Sequence, residues 1–275
     1  MPEKVVPGPI QDAGGIREAV CIHTRKIYDS CRDKDCIEDL RFYPRKQYVD
    51  VINRALSVKG GSAKLLYVYV DVEPVSFNRG FFTVDMRFFY SVTLQAYLSS
   101  PVPVAVEGLC VFDKRAILFG SEGNAKIFSS EATAGHPDPQ LMRRGNAPIA
   151  VVEAVDPIVL DARILDCCGK RECDCELCEV PTFVNGCFDC ELSGGDDNRR
   201  IYVTLGQFSI VRLERDTQLL IPVYDYCLPE KDCSCTTDCG ATMDPCCIFR
   251  NISFPVGEFF PPNTVRDDDG CCCCK

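Results

Sequence analysis

Residues 81–98 read FFTVDMRFFYSVTLQAYL, and along that stretch apolar and polar side chains alternate with a period of two. Phe82, Val84, Met86, Phe88, Tyr90, Val92, Leu94, Ala96 and Leu98 fall on one face. Thr83, Asp85, Arg87, Ser91, Thr93 and Gln95 fall on the other. Successive side chains of a strand point to opposite sides of a sheet, so the pattern specifies a half-buried β-strand. At ~3.3 Å per residue it would span more than about 50 Å if straight. A bend or bulge that lets it serve two sheets is therefore expected.

Strand patterns continue on both sides. Residues 64–72 (KLLYVYVDV), 102–112, 116–119, 201–213 (IYVTLGQFSIVRL) and 218–226 (QLLIPVYDY) are β-branched, aromatic or alternating. Residues 149–165 add another stretch, broken at Asp156-Pro157. Residues 249–262 (FRNISFPVGEFFPP) read as an edge strand that breaks down at its prolines. Helical spacing is defensible in residues 46–56 (KQYVDVINRAL), where Tyr48, Val51, Ile52 and Leu56 share a face ahead of Gly60-Gly61. Upstream, Ile37, Leu40 and Phe42 suggest a short amphipathic turn stopped by Pro44. The polar, glycine-rich residues 120–148 read as a surface loop or a hairpin excursion.

The expected fold is mainly β: an antiparallel β-sandwich core with one short N-terminal helix and cysteine-rich loops. Its expected organisation is a flexible arm (1–20), the first half of a β domain (21–165) and a cysteine-rich connection (166–198). A β segment completing the core (199–262) and an acidic, cysteine-rich tail (263–275) follow.

Composition narrows the function classes. The 275 residues carry a net charge of −10, which disfavours nucleic acid, since phosphate binding needs a basic surface. An apolar share of 46% is enough to build a core without covalent help, so 21 cysteines add durability to something already able to fold. No apolar run of 18 residues exists, so no membrane-spanning helix is expected. Residues 1–17 lack the apolar centre of a signal peptide. The expectation is synthesis in the cytoplasm, which keeps thiols reduced, so such dense cysteines call for metal ligation there, release by cell lysis, or assembly inside a cell that later dies.

Seventeen of the 21 cysteines lie in three clusters: 167–190, 227–247 and 271–274. The rest are Cys21, Cys31, Cys36 and Cys110, and the long strand has none, so the core is expected to be built without cysteines. The four consecutive cysteines Cys271, Cys272, Cys273 and Cys274 can hardly pair among themselves, because disulfide geometry strains neighbouring residues. With Cys21 they are the candidates for cross-links between chains. Cys31, Cys36, Cys227, Cys233, Cys235, Cys239, Cys246 and Cys247 are the candidates for disulfides within the chain. Cys175 and Cys178 form one C-x2-C pair, and Cys187 and Cys190 a second. Four such thiolates suit tetrahedral zinc, the alternative to disulfides in that cluster. The glycine usual after each pair is missing, Glu179 and Glu191 standing there instead.

No catalytic motif occurs, and the two histidines, His23 and His136, read as surface groups, so the chain is expected not to be an enzyme and to carry no cofactor. Phe89 and Tyr97, on the polar face of the long strand, support a weaker reading as exposed aromatics of a carbohydrate-binding sandwich.

Two stretches carry a resemblance: CIHTRKIYDSCRDKDCIEDLRFYP at residues 21–44 and LLIPVYDYCLPEKDC at 219–233. They resemble a cysteine-rich protein group of endospore-forming clostridia, within the Firmicutes. In style the chain is also similar to spore coat, exosporium and appendage structural proteins. That resemblance implies a self-assembling structural protein, cross-linked by disulfides to itself and to other cysteine-rich surface proteins. It also implies a place on the spore surface, with synthesis in the mother-cell cytosol, assembly on the forespore and oxidation around mother-cell lysis. The alternative is a cytosolic zinc-binding scaffold built on Cys175, Cys178, Cys187 and Cys190.

Overall fold

The computed structural model describes residues 21–100, 102–123, 126–127, 144–166, 177, 179–188, 191–194, 199–220, 229, 231 and 245–259. The chain begins with β1 (Cys21–Pro44), a 3-10 turn (Lys46–Tyr48) and α1 (Val49–Arg54). Three long strands follow: β2 (Ser57–Pro74), β3 (Phe81–Tyr97) and β4 (Val104–Phe119). Next come the short β5 (Lys126–Ile127) and β6 (Arg144–Gly145), then β7 (Ile149–Ala154), β8 (Ile158–Asp166) and α2 (Thr182–Asn185). The order ends with β9 (Arg199–Leu220), α3 (Pro245–Arg250) and α4 (Val256–Phe259).

The long strands form one antiparallel sheet in the order β2-β3-β4-β1-β9-β7, with β8 also paired to β9. It folds over, so that β2-β3-β4 faces β1-β9-β7-β8 across a shared core, as a sandwich requires. The outer edges nearly meet: the Leu65 amide of β2 donates to Asp156 Oδ1, between β7 and β8, at 2.8 Å. The sandwich is thus close to a barrel. β5 and β6, both within the 120–148 stretch, pair antiparallel with each other.

The alternation in residues 81–98 does what its pattern dictates. Val84, Met86, Phe88, Tyr90, Val92, Leu94 and Ala96 are all buried in the core. β3 carries no bulge, however: it keeps one register with β4 from Phe81↔Phe119 to Ala96↔Val104. The bulges fall in β2, between Lys59 and Ser62 and between Leu65 and Tyr67.

The strand that serves both halves is β1, and residues 37–42 are strand where a turn was expected. β1 pairs with β9 from Cys21↔Leu220 to Phe42↔Ile201, then hands over to β4 at Tyr43↔Leu109 and Pro44↔Gly108. Register shifts interrupt its period. Between Ile37 and Leu40, two residues oppose one on β9, and Asp39 takes a positive φ of 55°. The inward side changes from odd residues (Cys31, Ile37) to even ones (Leu40, Phe42), which erases a period-two signal over the whole strand. Gly108 lets the two halves meet, because a Cβ there would run into the Tyr43 carbonyl oxygen.

Two further expectations fail. Of the expected edge strand 249–262, the described residues 249–259 hold the end of α3 and all of α4, with Pro245 opening α3 and Pro255 preceding α4. Proline suits a helix start because its missing N–H would have no partner there. The α3 segment covers the outer face of β9, with the Phe208 ring 4.7 Å from that of Phe249 and 5.5 Å from that of Phe254. The core is also not free of cysteine: Cys31 on β1 and Cys110 on β4 are both fully buried within it.

Candidate functional site

The inward rows of β1, β3, β4 and β9 are mostly apolar, and one level of the sandwich gathers several polar groups. Asp33 and Asp35 follow Cys31 on the same face of β1, and directly across the ladder from them stand Ser209 and Gln207 of β9. Lys114 of β4 and Tyr90 of β3 come from the opposite half. Lys114 Nζ lies 2.6 Å from Asp35 Oδ2 and 2.9 Å from Asp33 Oδ2. The Asp33 side chain is 0% exposed, that of Lys114 10% and that of Asp35 13%.

Two carboxylates and one ammonium leave this cluster with an excess negative charge in surroundings of low polarity. Burial pulls the Lys114 pKa down, but Asp35 and Asp33 outweigh it and hold the group above its ordinary range. Burial, with Asp35 and Cys110 nearby, raises the Tyr90 phenol well above its usual value, so it stays protonated. Hydrogen bonding at this level is incomplete. Asp33 Oδ1, Tyr90 OH, Gln207 Oε1 and Ser209 Oγ are buried without a hydrogen-bond partner among the described residues. Desolvating an ion pair costs several kcal/mol per ion and is recovered only with good geometry and full hydrogen bonding. A half-satisfied buried cluster is thus an expensive feature, and a place to look for chemistry.

A second feature ties the chain end to the sheet. Cys36 of β1 and Cys246 of α3 form a disulfide across 210 residues of sequence, with Cα atoms 5.5 Å apart. Cys247 is disulfide-bonded as well. Glu38 Oε1 stands 3.3 Å from Cys246 Sγ, and Cys36, Glu38 and Cys246 together make a donor set of the kind that holds a metal. With the disulfide closed, both sulfurs are committed to each other.

A third feature is a cap on the outer face of β2-β3-β4. Val180, Val184 and Phe188, from the connection around α2, pack with Tyr43, Phe89, Leu109 and Val111 in a second small core. Phe183 meets the Tyr67 ring edge-on, centroids 4.7 Å apart. Phe89 is therefore covered, 1% exposed, and gives no exposed aromatic platform. Tyr97 is half-buried and has Lys59 Nζ 5.6 Å from its ring centre. Beside the cap runs an open groove of about 680 Å³ lined by Tyr69, Phe89, Pro181 and charged residues. Those charges are mutually engaged: Arg87 spans Asp113 and Glu179, and Arg115 pairs with Asp85. Hydrogen bonds to Asp113 and Glu179 push the Arg87 pKa further up. The ladder fastens Glu179, and with it the cap, to the sheet.

The proposed cysteines are distributed unevenly. Cys36, Cys246 and Cys247 lie in disulfides, whereas Cys31 lies in the core with Sγ 3.8 Å from Asp33 Oδ2. Cys187 is exposed just after α2, its Sγ 3.4 Å from the Phe183 carbonyl oxygen. Cys21 begins β1 opposite Leu220. Cys175, Cys178, Cys190, Cys227, Cys233, Cys235, Cys239 and Cys271–Cys274 lie outside the described residues. Sequence reasoning missed Asp33, Asp35 and Lys114. The available signal was charge at inward-facing strand positions, hidden by the irregular register of β1.

No protein-family model and no solved structure matches the chain. The chain is similar to Exosporium protein A of Clostridium sporogenes (strain ATCC 15579), with 26% identity over 272 residues. The match covers 94% of this chain and 80% of that protein. That relative is a clostridial exosporium protein, in keeping with the resemblance drawn from residues 21–44 and 219–233. No helix among the described residues is long and apolar enough to cross a membrane.

Proposed function

We propose that this chain is a non-enzymatic structural protein of a spore-surface layer or appendage, associating with its own copies and locked by disulfides. The observation that carries the proposal is the similarity to Exosporium protein A along 94% of the chain. The chemistry of the chain supports it. A disulfide pins the C-terminal helices to β1, an exposed thiol stands at Cys187, and four more cysteines crowd residues 271–274. Cross-links between folded subunits make dissociation a matter of bond breakage, which suits a durable layer. Cys271–Cys274 and Cys21 are the groups assigned to links between chains, and other cysteine-rich surface proteins are further partners for them. The route is synthesis in the cytoplasm, assembly there, and oxidation on release.

The test is electrophoresis of the purified full chain with and without reductant, paired with electron microscopy of the same oxidised sample. Ladders or material too large to enter the gel, collapsing to monomer on reduction, are expected. Regular assemblies should appear in the micrographs. A single monomer band under both conditions overturns the proposal.

A further inference from the structure

The cluster of Lys114, Asp33 and Asp35 has the parts of a reaction and not only of an ion pair. A primary amine lies 2.6 Å from one buried carboxyl and 2.9 Å from another. The second carboxyl, that of Asp33, is fully buried, and its Oδ1 has no hydrogen-bond partner among the described residues. Phe88 and Tyr90 of β3 and Cys31 and Cys110 pack in the same core. We infer that Lys114 and Asp35 become joined by an intramolecular isopeptide bond, with Asp33 moving the protons.

The balance closes without any outside reagent. Lys114 Nζ gives one proton to Asp35 along their short contact, turning an ammonium and a carboxylate into a neutral amine and a neutral carboxyl. The carboxylates hold Lys114 charged at rest, so this exchange runs uphill, and burial, which penalises both charges, lowers its cost. The amine lone pair then attacks Cγ of Asp35. The Asp33 carboxylate accepts a proton from the nitrogen and passes it to the Asp35 hydroxyl, which leaves as water. One N–C bond forms, one C–O bond breaks, and Asp33 ends as it began. Holding amine and carboxyl in contact supplies the effective concentration that separate reactants lack. Asp33 suits the proton-carrying role because its free oxygen competes with no other donor.

The position of the bond is informative. β1 and β4 are neighbours in the sheet, but their ladder consists of Tyr43↔Leu109 and Pro44↔Gly108. Asp33 and Asp35 lie on the part of β1 that has left β4 to pair with β9. Lys114 bridges the stretch where the sheet lacks backbone hydrogen bonds between its halves. A covalent link there staples the sandwich where β1 and β4 share no ladder, in a bond that reductant cannot open.

The test uses the full chain, purified folded, then fully reduced and alkylated before intact-mass and peptide-mapping mass spectrometry. The expected result is a mass short of the sequence value by one water, together with a branched peptide joining Lys114 to Asp35. Lys114→Arg keeps the positive charge but no primary amine, and should restore the full mass. Asp33→Asn should leave the chain unlinked while circular dichroism still shows the β fold. A folded wild-type chain of full sequence mass overturns the inference. A branch mapped to Asp33 overturns the assignment of Asp35 as the acceptor, and complete linkage in Asp33→Asn overturns the role of Asp33.

Discussion

Arg215 shows how far one side chain can organise a connection. It is buried, 5% exposed, and faces three carbonyl oxygens: its guanidinium donates to Gly120 (2.6 Å), Ser121 (2.7 Å) and Asn146. The fork geometry of arginine lets one residue of β9 hold both ends of the 120–148 excursion against the sheet. Its guanidinium carbon lies over the Phe82 ring, 5.9 Å from the ring centre. Arg215→Met keeps most of the stem and deletes all the donors. It should destabilise the protein by about 3 kcal/mol, given that hydrogen bonds to charged groups contribute ~1.5–3 kcal/mol each and do not add fully. Urea denaturation measures this, and a change within about 0.5 kcal/mol would show that the anchor does not matter. None of this was visible beforehand, because the sequence shows Arg215 only as one charge in a run of alternating residues. The same limit applies to Phe89. Its place on the polar face of β3 was legible, but the cap that covers it comes from residues more than ninety positions away.

At the scale of elements, legibility followed regularity. β3 could be read residue by residue because its register has no interruption. β1 is longer, at 24 residues, yet its pattern disappeared, because register shifts between Ile27 and Asp29 and between Ile37 and Leu40 each reverse the inward side. The C-terminal helices were misread for another reason: α3 and α4 span six and four residues, too short for helical periodicity to show. What fixes α3 is tertiary. Cys246 is bonded to Cys36, Phe249 is fully buried, and Lys34 Nζ reaches the Arg250 and Ile252 carbonyls, the latter at 2.7 Å. The disulfide closes a loop of 210 residues, for which chain entropy alone gives about 5 kcal/mol, and measured values run nearer ~2–4 kcal/mol. The double substitution Cys36→Ser with Cys246→Ser should therefore lower unfolding free energy by about 2–4 kcal/mol without reductant. That difference should vanish once reductant opens the bond in the parent chain. A difference that persists under reduction would assign the loss to packing at the two sites.

For the whole molecule, the mainly β, antiparallel architecture could be read because it depends on patterns that each strand carries alone. Closure could not, since it rests on meetings such as Leu65 with Asp156, and no local pattern encodes them. Charge acts at this scale too. A chain with net charge −10 repels its own copies, and several of its cations are already engaged within the molecule: Arg87, Arg115, Lys114 and Arg212 all have carboxylate partners. Under the proposed function, copies must approach before any disulfide between them can form. That approach works against long-range repulsion and is helped by apolar contact at exposed residues such as Leu56 and Ile248. Salt weakens the repulsion, since the screening length falls from ~10 Å at 0.1 M to ~3 Å at 1 M, and leaves apolar contact intact. Association of the reduced chain, followed by light scattering, should therefore increase with sodium chloride over that range. Cross-linking on later oxidation should become faster in step. Salt that instead disperses the reduced assemblies would mean that ion pairs between copies hold them together. The net charge would then favour association through complementary patches, and the ordering of contact before oxidation would need a different physical basis.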